Sequence, residues 1–176
     1  MFKTTLAALA FVAIMPLTAT AHGPSRQKVT QTIEINAPAD KVWAAIGNFQ
    51  DMSWHPAIAK TEGSGDNGIG AKRKLTLKSG GTIEEALTSY KADAKTLAYE
   101  ITAVDVKTLP VSNYSSSIRV SGEGAKSTVE WKGAFYRGFV NNDPPPELND
   151  EAAVNAVTGV YKAGLDALKA KLEAGG

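Results

Sequence analysis

The chain has 176 residues with 19 Lys and Arg against 18 Asp and Glu, a formal net charge of +1, and no cysteine. A balance this even leaves no overall field to hold nucleic acid or an anionic membrane. The missing thiols exclude disulfides, thiolate metal sites, iron–sulfur clusters and covalently attached haem, so the sequence offers no redox centre and implies no cofactor.

At the N-terminus Lys3 precedes the apolar run "LAALAFVAIMPL" and the small-residue stretch "ATA" ending at Ala21. That is the layout of a secretory signal peptide cleaved after Ala21. The run is too short for a membrane span, which needs about 20 residues, and no cysteine is present to accept a lipid. Cleavage removes Lys3 and leaves 18 basic and 18 acidic residues in the mature chain. The expected organisation is a leader over 1–21, a short tail over 22–27, a single domain over 28–172 and a C-terminal tail over 173–176. His22 would then carry both a free amine and an imidazole, a start for copper chelation. No third strong ligand follows it, so no metal site is assigned.

In "KVTQTIEI", Val29, Ile33 and Ile35 alternate with Lys28, Thr30, Thr32 and Glu34, which predicts a half-buried strand. "APADKVWAAIGNF" places Val42, Trp43, Ile46 and Phe49 at helical spacing behind Pro38. "DMSWHPAI" follows; Pro56 disfavours helix at His55, so two short helices are expected over 38–55, ending in a corner. Strands are predicted over 57–62, 70–78, 82–91, 96–104, 112–121 and 126–137, with spacings short enough for an antiparallel meander. From about 148 to 172, Val154, Val157, Tyr161, Leu165, Leu168 and Leu172 recur at three and four, with Asn149 or Asp150 as the cap. The fold class is therefore α+β: a curved seven-stranded antiparallel sheet gripping one long C-terminal helix.

Two segments imitate motifs. "GSGDNGIGAKRK" resembles a phosphate loop, but it runs into an alternating strand instead of opening a helix, so it reads as a turn. "NNDPPPELND" is held extended by its prolines and reads as a stiff spacer.

Strand parity locates the informative side chains. Burying Leu75 and Leu77 turns Arg73 inward, and burying Ile83 and Leu87 turns Glu85 inward while Glu84 faces out. A three-residue turn over Ser79–Gly81 would pair Leu75 with Glu85 and Arg73 with Leu87, making Arg73 and Glu85 diagonal neighbours in an ion pair. The same argument turns Tyr99, Tyr114, Ser116, Trp131, Gly133 and Phe135 inward. Tyr99, Tyr114 and Trp131 each bring a polar atom that needs a partner, which suits either a cavity or a core satisfied by backbone groups.

The run "NAPADKVWAAIGNFQDMSWHPAI", the glycines before "AKRKLTLKSGGTIEEAL", then "LAYEI", "LPVSNY", "VEWKGAF" and the terminal helix resemble the START-like superfamily in its polyketide cyclase/dehydrase-like (SRPBCC) branch. The resemblance covers Val29 to Leu172. It implies a helix-grip fold with a pocket between sheet and helix, usually for apolar or amphipathic ligands, and its members include lipid carriers, hormone receptors and cyclases. The exported form is most similar to MxaD-type proteins, periplasmic accessories of methanol oxidation that assist methanol dehydrogenase and its cytochrome c partner. That likeness implies a periplasmic location and those two partners.

The pocket candidates are Trp54, His55, Arg73, Glu85, Tyr99, Tyr114, Trp131 and Phe135, and none is assigned a catalytic role. Ser53 near His55 lacks the context of an activated nucleophile. A general acid/base role for His55 with Glu85 or Tyr114 stays open, beside that of a structural corner. Three functions follow: a non-catalytic accessory, a carrier or sensor of a small apolar ligand, and a cyclase-like or hydrolase-like enzyme.

Overall fold

Alternating burial along seven segments builds one sheet. The computed structural model describes residues 23–174; the leader over 1–21 and the His22 chelate lie outside them. The elements are β1 (Gln27–Ile35), α1 (Ala39–Ile46), β2 (Ile58–Ser64), β3 (Lys72–Leu77), β4 (Thr82–Lys91), β5 (Thr96–Val104), β6 (Val111–Ser121), β7 (Ser127–Arg137), a 3-10 turn at Pro146–Leu148 and α2 (Asp150–Glu173). The strands lie in the order β1-β7-β6-β5-β4-β3-β2, every neighbouring pair antiparallel. The expected α+β helix-grip architecture is thus present. No helix among the described residues is long and apolar enough to cross a membrane.

α2 begins where Asn149 Oδ1 accepts the Ala152 amide at 2.8 Å, with Asp150 and Glu151 in its first turn and Lys171 in its last, both favourable to the helix dipole. Its buried stripe is Ala153, Val157, Tyr161, Gly164, Leu165, Leu168 and Leu172, which covers the inward face of the sheet. Both ends are tied down. Arg137 donates to the Phe139 and Asn141 carbonyls and pairs with Asp150 at 3.2 Å. At the far end Lys169 donates to the Glu34 carbonyl at 2.8 Å, and the Asn36 amide donates to Glu173 at 2.8 Å.

The second short helix expected before residue 55 is absent; residues 47–57 form consecutive turns. Asn48 and Asp51 accept the amides two residues ahead, at 3.0 and 2.8 Å. Such local side-chain bonds give the backbone an alternative to helix.

The β3–β4 register also differs from expectation. Arg73 stands directly opposite Glu85, Leu75 opposite Ile83, and Thr76 opposite Thr82. Five residues, 77–81, separate this last pair, and among them Leu77 N–H donates to the Gly81 carbonyl and Gly80 N–H to the Leu77 carbonyl, both at 3.1 Å. Gly80 and Gly81 take φ of +91° and +83°, a conformation that side chains resist. Two such residues in succession accommodate a longer loop than the expected three-residue turn. A slip of two positions preserves parity, so both charges still face inward. The glycine-rich segment before β3 is a pair of turns, with Gly68 N–H bonded to Gly65 and Ala71 N–H to Gly68, as expected.

Candidate functional site

The inner face of the sheet carries two polar systems. In the first, Arg73 and Glu85 are only 4 % and 5 % exposed, and Arg73 Nε donates to Glu85 Oε2 at 2.6 Å. Arg73 also donates from Nη1 to the Phe49 carbonyl at 2.7 Å, and its guanidinium lies over the rings of Phe49 and Tyr99 at 4.2 and 5.1 Å. Phe49 is itself held by Asn67, whose Oδ1 accepts its amide at 2.8 Å. Burial pushes the Glu85 carboxyl above the usual range, and the charge and hydrogen bond of Arg73 pull it back.

The second system centres on Ser116. Trp131 Nε1 donates to Ser116 Oγ at 2.9 Å and to Tyr99 Oη at 3.1 Å. Ser116 spends its proton on the Lys132 carbonyl at 2.7 Å. The Tyr161 hydroxyl at 2.9 Å must therefore donate to Ser116, and the Tyr114 hydroxyl in turn donates to Tyr161. Burial raises all three phenols, Tyr99 to about 12, with Tyr114 and Tyr161 also well above the ordinary value. They are neutral in this network. Tyr161 stacks on Trp131 with centroids 4.3 Å apart, and its hydroxyl occupies the space that a side chain at Gly133 would need.

His55 closes the face from the corner before β2. It is 2 % exposed; Nε2 lies 3.0 Å from the Val160 carbonyl and Nδ1 accepts the Ala57 amide at 3.2 Å. Those partners assign the proton to Nε2 and join the corner to α2. The ring stands at 89° to Trp131. Burial lowers its pKa from 6.5, with the Val160 bond opposing. A proton on Nδ1 would face the Ala57 N–H.

The resulting pH dependence has a definite sign. Because the folded pKa lies below the unfolded one, the unfolded chain binds the extra proton first, so stability is retained above about pH 6.5 and lost as pH falls below it. Urea midpoints at about pH 7.5 and 5.5 should fall further for the wild type than for His55→Gln. A parallel response in the two proteins would free His55 from this role.

Between this corner, β3 to β7 and α2 lies a cavity of about 50 Å³. Among the predicted residues, His55, Glu85, Tyr99, Tyr114 and Trp131 line it. Arg73 buttresses Glu85 from outside the cavity wall. Trp54 packs on Trp131 at 5.6 Å, and its indole N–H meets no acceptor among the described residues. Phe135 stacks on Tyr114 at 5.9 Å, away from the cavity. Tyr161 belongs to the site chemically, although the sequence marks it only as part of an apolar stripe. Its one available signal is a polar-tipped residue facing inward opposite a strand glycine. Ser53 is exposed and both His55 nitrogens are engaged elsewhere, so the nucleophile and base of a hydrolytic triad are not assembled. Among the described residues no three His, Cys, Asp or Glu side chains converge as metal ligands.

Residues 26–173 match a family model described as polyketide cyclase / dehydrase and lipid transport. Among solved structures, the protein XoxI from Bacillus cereus is 32% identical with a TM-score of 0.69, covering 82% of this chain and 94% of its own. An uncharacterised protein from Bacillus thuringiensis is 31% identical with a TM-score of 0.68, covering 82% of this chain and 98% of its own. Norcoclaurine synthase from Thalictrum flavum is 18% identical with a TM-score of 0.64 over 92% of this chain and 98% of its own, a likeness of fold alone. None of the curated proteins matches the chain.

Proposed function

Because the chain belongs to the polyketide cyclase / dehydrase and lipid transport family, whose name spans both chemistry and carriage, we propose a reading from what its own interior leaves free: an exported, periplasmic, non-catalytic accessory of methanol oxidation that helps methanol dehydrogenase meet its cytochrome c acceptor. The observation that carries this reading is how little of the interior is left open to a large ligand. Arg73 is spent on Glu85 and Phe49, Trp131 and Ser116 on their neighbours, and His55 on Val160 and Ala57. The cavity that remains is about 50 Å³, whereas pockets for drug-sized ligands run to about 300–1,000 Å³. That weighs against a carrier of bulky ligands and against a cyclase acting on them, and favours work done by the surface. The leader-like N-terminus, the resemblance to MxaD-type proteins and the likeness to XoxI support the same reading.

The test is methanol-dependent reduction of the cytochrome by the dehydrogenase, followed as purified mature protein is added. The rate should rise, saturate and weaken with added salt, as an electrostatically assisted encounter does. Tyr114→Phe, which deletes one interior hydroxyl, should stimulate as the wild type does. No stimulation by either protein would remove the accessory reading; stimulation by the wild type alone would return the function to the interior.

A further inference from the structure

The cavity under the His55 corner has a chemistry of its own, independent of the surface role above. We propose that it binds one small neutral molecule of about three to five non-hydrogen atoms with a single hydroxyl donor directed at Glu85, a short aliphatic alcohol.

Size comes first. A cavity needs about 10–15 Å³ of this measure per water-sized occupant, so about 50 Å³ admits a few non-hydrogen atoms and excludes a lipid or a polycyclic substrate. The walls come next: Leu75, Leu77, Ile83, Ile101, Leu109 and Val160 are all apolar. Against them stands one charged acceptor with capacity to spare. Glu85 lines the cavity, is 5 % exposed, and among the described residues accepts a side-chain hydrogen bond only from Arg73 Nε, whereas a carboxylate has about four acceptor sites. Most other polar groups of the lining are committed; the exception is the Tyr99 hydroxyl, which accepts from Trp131 and whose own O–H meets no acceptor among the described residues, so that it can donate to the same ligand oxygen. His55 is used at both nitrogens, Trp131 donates to Tyr99 and Ser116, and Tyr114 donates to Tyr161.

Charge then selects among donors. Arg73 and Glu85 already balance, so an ammonium group would bring an uncompensated buried charge and an anion would confront Glu85. A neutral hydroxyl adds a donor without a charge. Water satisfies the carboxylate less completely, because a buried water needs two to four polar partners and these walls supply few; an alcohol covers them with its alkyl chain.

The experiment titrates the full mature protein with ethanol, 1-propanol, 1-butanol and 1-hexanol while methyl NMR signals of Ile83, Ile101 and Leu77 are followed. Methyl ethyl ether, which matches 1-propanol in size without the donor, and propylammonium serve as controls. Shifts should saturate, and affinity should rise about fourfold per methylene from ethanol to 1-butanol, then fall at 1-hexanol. The ether and the ammonium should bind at least tenfold more weakly than 1-propanol. Ile101→Phe, which fills the cavity and leaves Glu85 in place, should abolish the shifts. No saturable shift with any alcohol, equal binding of ether and alcohol, or binding of 1-hexanol as tight as that of 1-butanol would each overturn the proposal. None of these results depends on the cytochrome assay.

Discussion

Glu85→Ala is expected to destabilise the protein by about 3–5 kcal/mol, while Glu84→Ala changes stability by no more than about 0.5 kcal/mol. The two carboxylates are adjacent in sequence and on opposite faces of β4, Glu85 buried and Glu84 exposed. Removing Glu85 strands the Arg73 guanidinium at 4 % exposure with its Phe49 carbonyl bond and two aromatic rings, too little to replace solvation. Glu84 stands opposite Lys74 at the surface, where such a pair contributes little. Replacing both partners by apolar residues of similar volume, Arg73→Met with Glu85→Leu, should recover most of the loss, because the cost lies in the orphaned charge and not in the absence of the pair. Urea midpoints for the four proteins settle it: equal effects of Glu85→Ala and Glu84→Ala, or a double variant as unstable as the single, would refute this account.

Alanine at two glycines of α2 should act in opposite directions. Gly159 is exposed, with nothing within 4 Å of the position its Cβ would take, so Gly159→Ala should stabilise by up to about 1 kcal/mol through helix propensity. At Gly164 a Cβ would lie 2.5 Å from His55 Cδ2 and 3.0 Å from Trp131 Cζ3. Neither ring can retreat, since His55 is bonded to Val160 and Ala57 and Trp131 is stacked on Tyr161. Overpacking typically costs about 1–3 kcal/mol, which outweighs the propensity gain and should leave Gly164→Ala the less stable of the two by about that amount. Thermal melting of both variants gives the order directly. Stabilisation of equal size at the two sites would mean that the His55 corner yields freely.

The strands were legible because parity is a local property: Arg73 and Glu85 declare their face through Leu75 and Ile83 whatever the register. The register itself was not legible, since a slip of two residues leaves every face unchanged, and what decides it is the loop that Gly80 and Gly81 permit. The turns over 47–57 escaped for a related reason. Helical spacing of Trp43, Ile46 and Phe49 continues past the point where Asn48 and Asp51 capture the backbone. The site was legible as a set of inward polar residues but not as a network. Tyr161 approaches Ser116 from another element, and its fit over Gly133 depends on the distance between helix and sheet, which no sequence period encodes. His55 was recognisable as a corner, while its two bonds, and the size of the cavity they close, belong to tertiary packing.

The sheet order carries a consequence for how the molecule is made. β1, the first strand out of the ribosome, finds its partner only in β7, the last, with Gln27 beside Phe135 and Ile35 beside Ser127. β2 to β7 form successive neighbours and can zip by short steps, but β1 waits unpaired until nearly the whole chain has been synthesised. Loop-closure entropy grows only logarithmically with length, so the late pairing remains thermodynamically accessible; the penalty falls on speed, in the range of milliseconds to seconds typical of non-local β topologies. A chain whose first and last strands must meet can close its sheet only after its last strand has been made.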